Sequence, residues 1–212
     1  MNGVNPDDSQ ILEPYMSAGY ELFTWNNGVN NNIFNVTDNL TYYSNNHKIT
    51  AGFSFEHQMA NNSFMRDGTG YYRYASVSDF LSQAAPRDFA LTYGYDGEVN
   101  PAAEVALNQY GLYVQDEWNV NPDFKLTYGI RADYLKYVDN IITNNAIAAL
   151  DFGGESINTG EWPDANIQFS PRVGFTYDVN ESLKLRGGTG IFTGRLPLVF
   201  FTNMPTNSGM VQ

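Results

Sequence analysis

Residues able to do chemistry are few and scattered in this chain. The two histidines, His47 and His57, fall in a turn and at a strand end. Neither has the neighbours of a metal-binding pair, or of a nucleophile and base held within hydrogen-bond reach. Glu56, Glu117 and Asp133 are the carboxylates one would pair for acid–base work. Each alternates with small polar residues, the pattern of a wetted strand face. Gly187-Gly188-Thr189-Gly190 resembles a phosphate loop only superficially: no apolar parallel strand precedes it, no helix opens after it, and it lacks the lysine. Close packing or relief of strand curvature is a better account of those glycines. No catalytic residue, cofactor site or metal site is expected from these patterns.

Two connecting segments hold denser chemistry. Met65 to Tyr74 carries Arg66, Tyr71, Tyr72, Arg73 and Tyr74, a mix that suits stacking on a flat ligand or sugar and equally suits ordinary loop packing. Val138 to Pro171 has no Lys or Arg but holds Asp139, Asp151, Glu155, Glu161 and Asp164. Such a set offers oxygen ligands to a divalent cation, or else is a solvated, self-repelling loop.

Composition narrows the function classes. A formal charge of -12 argues against nucleic acid as a partner, because phosphate binding draws on Lys and Arg. With no cysteine there is neither a disulfide framework nor a thiolate metal site. The 15 Tyr, 14 Phe and 19 Gly suit strands and turns better than helices. No apolar run is long enough to span a bilayer as a helix. Residues 1–10 lack the basic start and apolar stretch of a secretory leader, so an exported chain would carry its address upstream or have lost it.

The elements that must position these residues are β-hairpins. In the central one, residues 109–137, Tyr110, Leu112, Val114 and Trp118 share a face against Gly111, Tyr113, Gln115 and Glu117, with Asp116 the one polar intruder on the apolar side. On the return arm Phe124, Leu126, Tyr128, Ile130, Ala132 and Tyr134 alternate with Lys125, Thr127, Gly129, Arg131 and Asp133. Period-two alternation of this length marks a strand with one apolar and one polar face. Residues 34–57 and 169–193 repeat the plan, with turns near Asn45 and Asn180. Long connections fill about 58–108 and 138–168, the first with a short helix started by Ser76-Val77-Ser78-Asp79. Residues 20–26 form a weaker strand candidate, and 1–19 and 194–212 read as loop. The expected fold is all-β: an antiparallel meander occupying the whole of residues 1–212 as one partial barrel or sandwich.

Two solvents can meet the apolar faces. In a soluble β-sandwich they pack on each other, and aromatic loops would make the chain a glycan-binding module. In an outer-membrane barrel they meet lipid, and the polar faces line a lumen. Strands of ~10 residues match a tilted membrane crossing. Aromatic residues gather toward strand ends, as an interfacial girdle requires. Very short and very long connections alternate, as do periplasmic turns and outer loops. On the barrel reading Glu56, Glu117, Arg131, Asp133, Arg172 and Arg186 line the lumen, with the arginines and Lys184 partnering the acids across neighbouring strands. A small outer-membrane barrel enzyme is the remaining alternative, weakened by the lack of a paired nucleophile and base.

The stretch YGLYVQDEWNVNPDFKLTYGIRADY resembles the late barrel strands of TonB-dependent outer-membrane receptors, where a Tyr-x-Gln-Asp-x-Trp strand leads by a short turn into Leu-x-Tyr-Gly-Ile-Arg. The segments Phe169 to Phe175 (FSPRVGF) and Leu185 to Gly190 (LRGGTG) resemble the next hairpin of such a barrel. The likeness covers best residues 109–212. It implies a Gram-negative outer-membrane location, long transmembrane hairpins within a much larger barrel, and no enzyme activity. It also implies uptake of a scarce solute (a small molecule, peptide or glycan) and, as partners, outer-membrane lipid, the remaining strands, a plug domain and TonB. The plug and the TonB-engaging box are not visible in this sequence, so the resemblance implies an excerpt of a receptor.

Overall fold

The computed structural model describes residues 16–207 and 209–212. The loop reading of residues 1–19 falls outside them for its first fifteen positions. The elements in order are β1 (Asn27–Ser44), β2 (His47–Phe64), β3 (Tyr71–Arg73), α1 (Val77–Leu81), β4 (Asp88–Ala90), β5 (Ala103–Asn121), β6 (Phe124–Tyr137), α2 (Asn145–Ala148), β7 (Ile167–Asn180), β8 (Leu183–Gly190) and α3 (Val199–Asn207). The long strands form one six-stranded sheet in the order β1-β2-β5-β6-β7-β8, a meander in sequence order. Strands β1, β2 and β5 run further than alternation indicates, through Asn-rich and Ala-rich stretches without a clean period. Residues 20–26, a strand candidate by sequence, are bends and turns instead.

Each tight turn is set by an asparagine. Asn45 takes φ +50, the left-handed conformation this side chain tolerates best after glycine. Asn121 Oδ1 accepts the backbone N–H groups of Asp123 and Phe124 at 3.0 and 2.9 Å, and Asn180 Oδ1 that of Ser182 at 2.9 Å. The three turns lie at one end of the sheet. Asn119 N–H donates to Asn46 C=O at 2.8 Å, and Asp178 N–H to Asp123 C=O at 2.8 Å, joining each turn to the next.

Register sorts the side chains into two faces. Val114 sits opposite Ile130, Leu112 opposite Ala132 and Trp118 opposite Leu126. Ile130 then faces Pro171, and Tyr128 faces Val173. This face is bare: Leu112 is 67% exposed, and Ile130 and Val173 are each 45% exposed. The opposite face holds buried polar residues, with Asp133 at 4% and Ser170 at 0%. A water-soluble domain does the reverse, hiding apolar groups and wetting polar ones. The sandwich expectation fails here, since these apolar side chains stay exposed where a sandwich would bury them.

The chain divides into two compact units. One comprises residues 30–60 and 104–201 and carries the faces just described. Its small apolar cluster joins Ala60, Leu107 and Leu198, flanked by Leu135, Tyr137 and Phe201. After β8 its chain does not continue as strand. Residues 191–201 cross the polar face as a strap: Ile191 N–H donates to Pro171 C=O at 3.0 Å, and the Ser170 and Thr193 hydroxyls meet at 3.0 Å. Arg195 then pairs with Glu56, and Leu198 enters the apolar cluster.

The other unit comprises residues 1–29, 61–103 and 202–212. Its two-stranded sheet pairs β3 with β4, Tyr72 opposite Phe89. Helix α1 starts where Ser76 Oγ accepts the Asp79 N–H at 3.1 Å, the cap its sequence announces. Asp67 ties neighbouring segments together, donating its N–H to Leu22 C=O at 2.9 Å. The three-residue strands β3 and β4 are too short to show a period and are invisible to sequence reading.

Strands β1 and β8 are the two edges of the six-stranded sheet. Edge backbone N–H and C=O groups seek partners and template association. In water without detergent the chain is therefore expected to self-associate, as read by light scattering. A monodisperse monomer with a cooperative melt would contradict this.

Candidate functional site: the polar face of the sheet

The polar face is one connected network, built over glycines. Arg131 on β6 reaches across β5 to β2: its Nη2 donates to Ser54 Oγ at 2.7 Å, and its Nε and Nη2 grip the Asp133 carboxylate at 2.8–2.9 Å. The arm passes over Gly111, where any Cβ would collide with the guanidinium and with Ser54. Beside it the Tyr113 ring lies over Gly52 and donates its hydroxyl to Asn39 Oδ1 on β1. The Arg131 guanidinium sits 5.2 Å from the centroid of that ring. Four strands are thus cross-linked by a few long side chains that small residues let through.

The sequence-derived residues fall as follows. Glu56, Arg131, Asp133 and Arg172 line one cleft of about 570 Å³ with Ser54, Gln109, Gln115, Ser170, Thr193 and Arg195. Glu117 lies nearer the turns, held by Lys48 at 2.7 Å and Lys125 at 3.5 Å. Arg186 sits opposite Thr176 near the β8 edge. The expected pairing of these arginines with acids on neighbouring strands needs correction. Asp133 is gripped by Arg131 of its own strand, Glu56 by Arg195 of the strap, and Glu117 by lysines. Arg195 is the residue that sequence reading missed. It stands in a segment with no period, and nothing local announces its partner 139 positions away.

The loop residues behave differently. Tyr72 packs on Phe89 at 4.9 Å between centroids, Tyr74 on Phe80 at 5.5 Å, and Arg66 lies over Phe23 at 5.4 Å. Arg73 bridges to Asp88 at 3.3 Å. Tyr72 still keeps 57% of its surface exposed. The acids of 138–171 do not converge: Asp151 Oδ1 accepts the Gly154 N–H, and Glu161 Oε1 accepts from Asn158. Among the described residues no three metal-ligating side chains gather. The glycines of 187–190 lie in β8, paired with β7, and the Phe175 ring occupies the space over Gly187.

On the apolar face one polar cluster breaks the pattern. Asp116, the intruder, is buried and accepts from the Tyr128 hydroxyl at 2.9 Å, with His47 Nδ1 at 2.6 Å. His47 in turn stacks on Trp118, 5.3 Å and 12° between rings. The cluster stands next to the tight turns, where an amphipathic belt of Trp, Tyr and His suits a membrane interface.

An open antiparallel meander with a bare apolar face and a knitted polar face defines the wall of a membrane barrel. The chain belongs to the outer membrane beta barrel domain family, whose match runs over residues 6–212. It is a protein of the Gram-negative outer membrane. It is also similar to the crystal structure of the ferric-catecholate import receptor Fiu from E. coli K12, open form, with 18% identity and a TM-score of 0.40. That similarity covers 72% of this chain and 24% of the receptor's, so the chain spans about a quarter of it. No curated protein matches the chain.

Proposed function

We propose that this chain is part of the barrel of a TonB-dependent receptor that takes up a scarce solute across the outer membrane. The observation that carries the reading is the inverted sheet, with apolar residues such as Leu112 and Ile130 bare while Asp133 and Ser170 on the polar face are buried. In this reading the apolar face meets lipid, and Glu56, Glu117, Arg131, Asp133, Arg172 and Arg186 line the lumen. The short turns at Asn45, Pro122 and Asn180 face the periplasm and the long connections face outward. Arg66, Tyr71, Tyr72, Arg73 and Tyr74 then belong to the ligand-facing loops, where the exposed Tyr72 ring offers a stacking surface. The Tyr-x-Gln-Asp-x-Trp and Leu-x-Tyr-Gly-Ile-Arg motifs support the receptor class. Energy would come from TonB through a plug, and the barrel itself performs no catalysis.

Single cysteines test the facing cleanly, since the chain has none of its own. In cells, Leu112→Cys and Val173→Cys are expected to react with a bilayer-soluble maleimide and resist a membrane-impermeant one. Gln115→Cys and Thr176→Cys should react with the impermeant reagent. The reverse pattern would end the lumen reading. For the energised step, loss of TonB from the host should abolish accumulation of the imported solute, and unchanged accumulation would leave a passive barrel.

A further inference from the structure

The cleft on the polar face has an unusual charge balance for so acidic a chain. Of 11 Lys and Arg in the whole sequence, three arginines line it, with the carboxylates of Glu56 and Asp133. Three cations against two anions leave it one positive charge in excess. Arg131 is committed to Asp133, and Arg195 to Glu56. Arg172 is not committed: among the described residues no carboxylate meets it, and its guanidinium lies 4.6 Å from the Phe192 ring centroid. A ring stacked on a guanidinium occupies its π face and leaves the N–H donors of the plane free. Those donors form the rigid fork that grips a carboxylate in two parallel hydrogen bonds.

The surroundings of Arg172 are open in the same sense. Its register partners are Gly129 on β6 and Gly190 on β8, neither with a side chain to crowd it. Most of the rest of the wall is hydroxyl or amide, as at Asn35, Thr37, Ser54 and Gln115, with Phe55, Val114 and Ile130 its apolar members. Such a lining hydrogen-bonds a polyhydroxylated body rather than an apolar one.

We infer that the cleft binds a hydroxylated monocarboxylate of the sugar-acid class, with Arg172 gripping the carboxylate and Arg195 held in reserve by Glu56. The inference rests on the reading of this face as the solute path. A single excess charge fits a monoanion and disfavours a phosphate dianion. Glu56 acts as an internal stand-in, occupying the strap arginine while the cleft is empty. A solute carboxylate competes with it, and its arrival loosens the strap from β2.

The test uses the whole chain folded in detergent micelles, with gluconate, its neutral counterpart sorbitol, and inorganic phosphate as probes. Binding is read by calorimetry and by the arginine Nε resonances in NMR. Gluconate is expected to bind and to shift the Arg172 signal, while sorbitol binds at least ~10-fold more weakly, the scale of one charge-assisted hydrogen bond. Arg172→Gln should cost gluconate a similar factor, and Arg172→Lys should recover part of it by keeping charge without the fork. Glu56→Gln should tighten gluconate binding severalfold by freeing Arg195. A merely structural ion pair would not produce that gain. An unshifted Arg131 resonance in each variant shows that the sheet is intact. Equal binding of sorbitol, tighter binding of phosphate, an unaffected Arg172→Gln, or no gain in Glu56→Gln would each overturn the inference. None of these would touch the solute-path reading, which stands or falls on the cysteine labelling.

Discussion

Ile130→Arg is expected to lower the stability of the intact lipid-folded barrel by about 2–4 kcal/mol, the cost of an arginine at the midplane on a barrel's lipid face. Ile130 is near the middle of β6, 45% exposed, between Val114 on one side and Pro171 on the other. Bare apolar surface of this kind gains nothing in water and is fully compatible with hydrocarbon. A charge placed there must drag water or headgroups toward it. Denaturant titration in vesicles, followed by tryptophan fluorescence, measures the effect. Equal stability of the variant and the parent would mean that Ile130 does not touch lipid.

Its neighbour in sequence points the other way and fails for the opposite reason. Arg131→Met would leave the Asp133 carboxylate, 4% exposed, with only the Gln109 amide at 3.4 Å among the described residues. Breaking a covered ion pair from one side typically costs about 3–5 kcal/mol, because the remaining charge stays desolvated and unpaired. The same titration reads it. Adding Asp133→Leu to Arg131→Met should restore most of the loss, since removing both charges is close to neutral. A single-mutant loss below about 1 kcal/mol, the level of an exposed pair, would show the carboxylate to be well hydrated. Two adjacent residues thus probe two solvents across the thickness of one strand.

Much of the wall was legible from residue order. Alternation is a local property, so each hairpin announced itself, and Asn45 and Asn180 marked two of the turns by side-chain chemistry that acts within about three residues. Where alternation lapsed, reading lapsed with it. The extensions of β1 through Asn27–Asn32 and of β2 through Asn61–Phe64 carry low strand propensity, yet the ladder recruits them because pairing satisfies backbone groups regardless of side chain. Asp116 stood out as an intruder, but its partners His47 and Tyr128 lie on two other strands.

The sequence by itself determined the all-β class, the two-faced strands, the short-turn end and the motifs that resemble a receptor barrel, because period and turn chemistry act over a few residues. Only the tertiary structure decided which charges meet. Arg131 reaches Ser54 across 77 positions, and Arg195 finds Glu56 across 139. Such pairings depend on strand register, on glycines that clear a path and on a strap folding back over the sheet. These are set by packing over the whole wall. No local pattern encodes them.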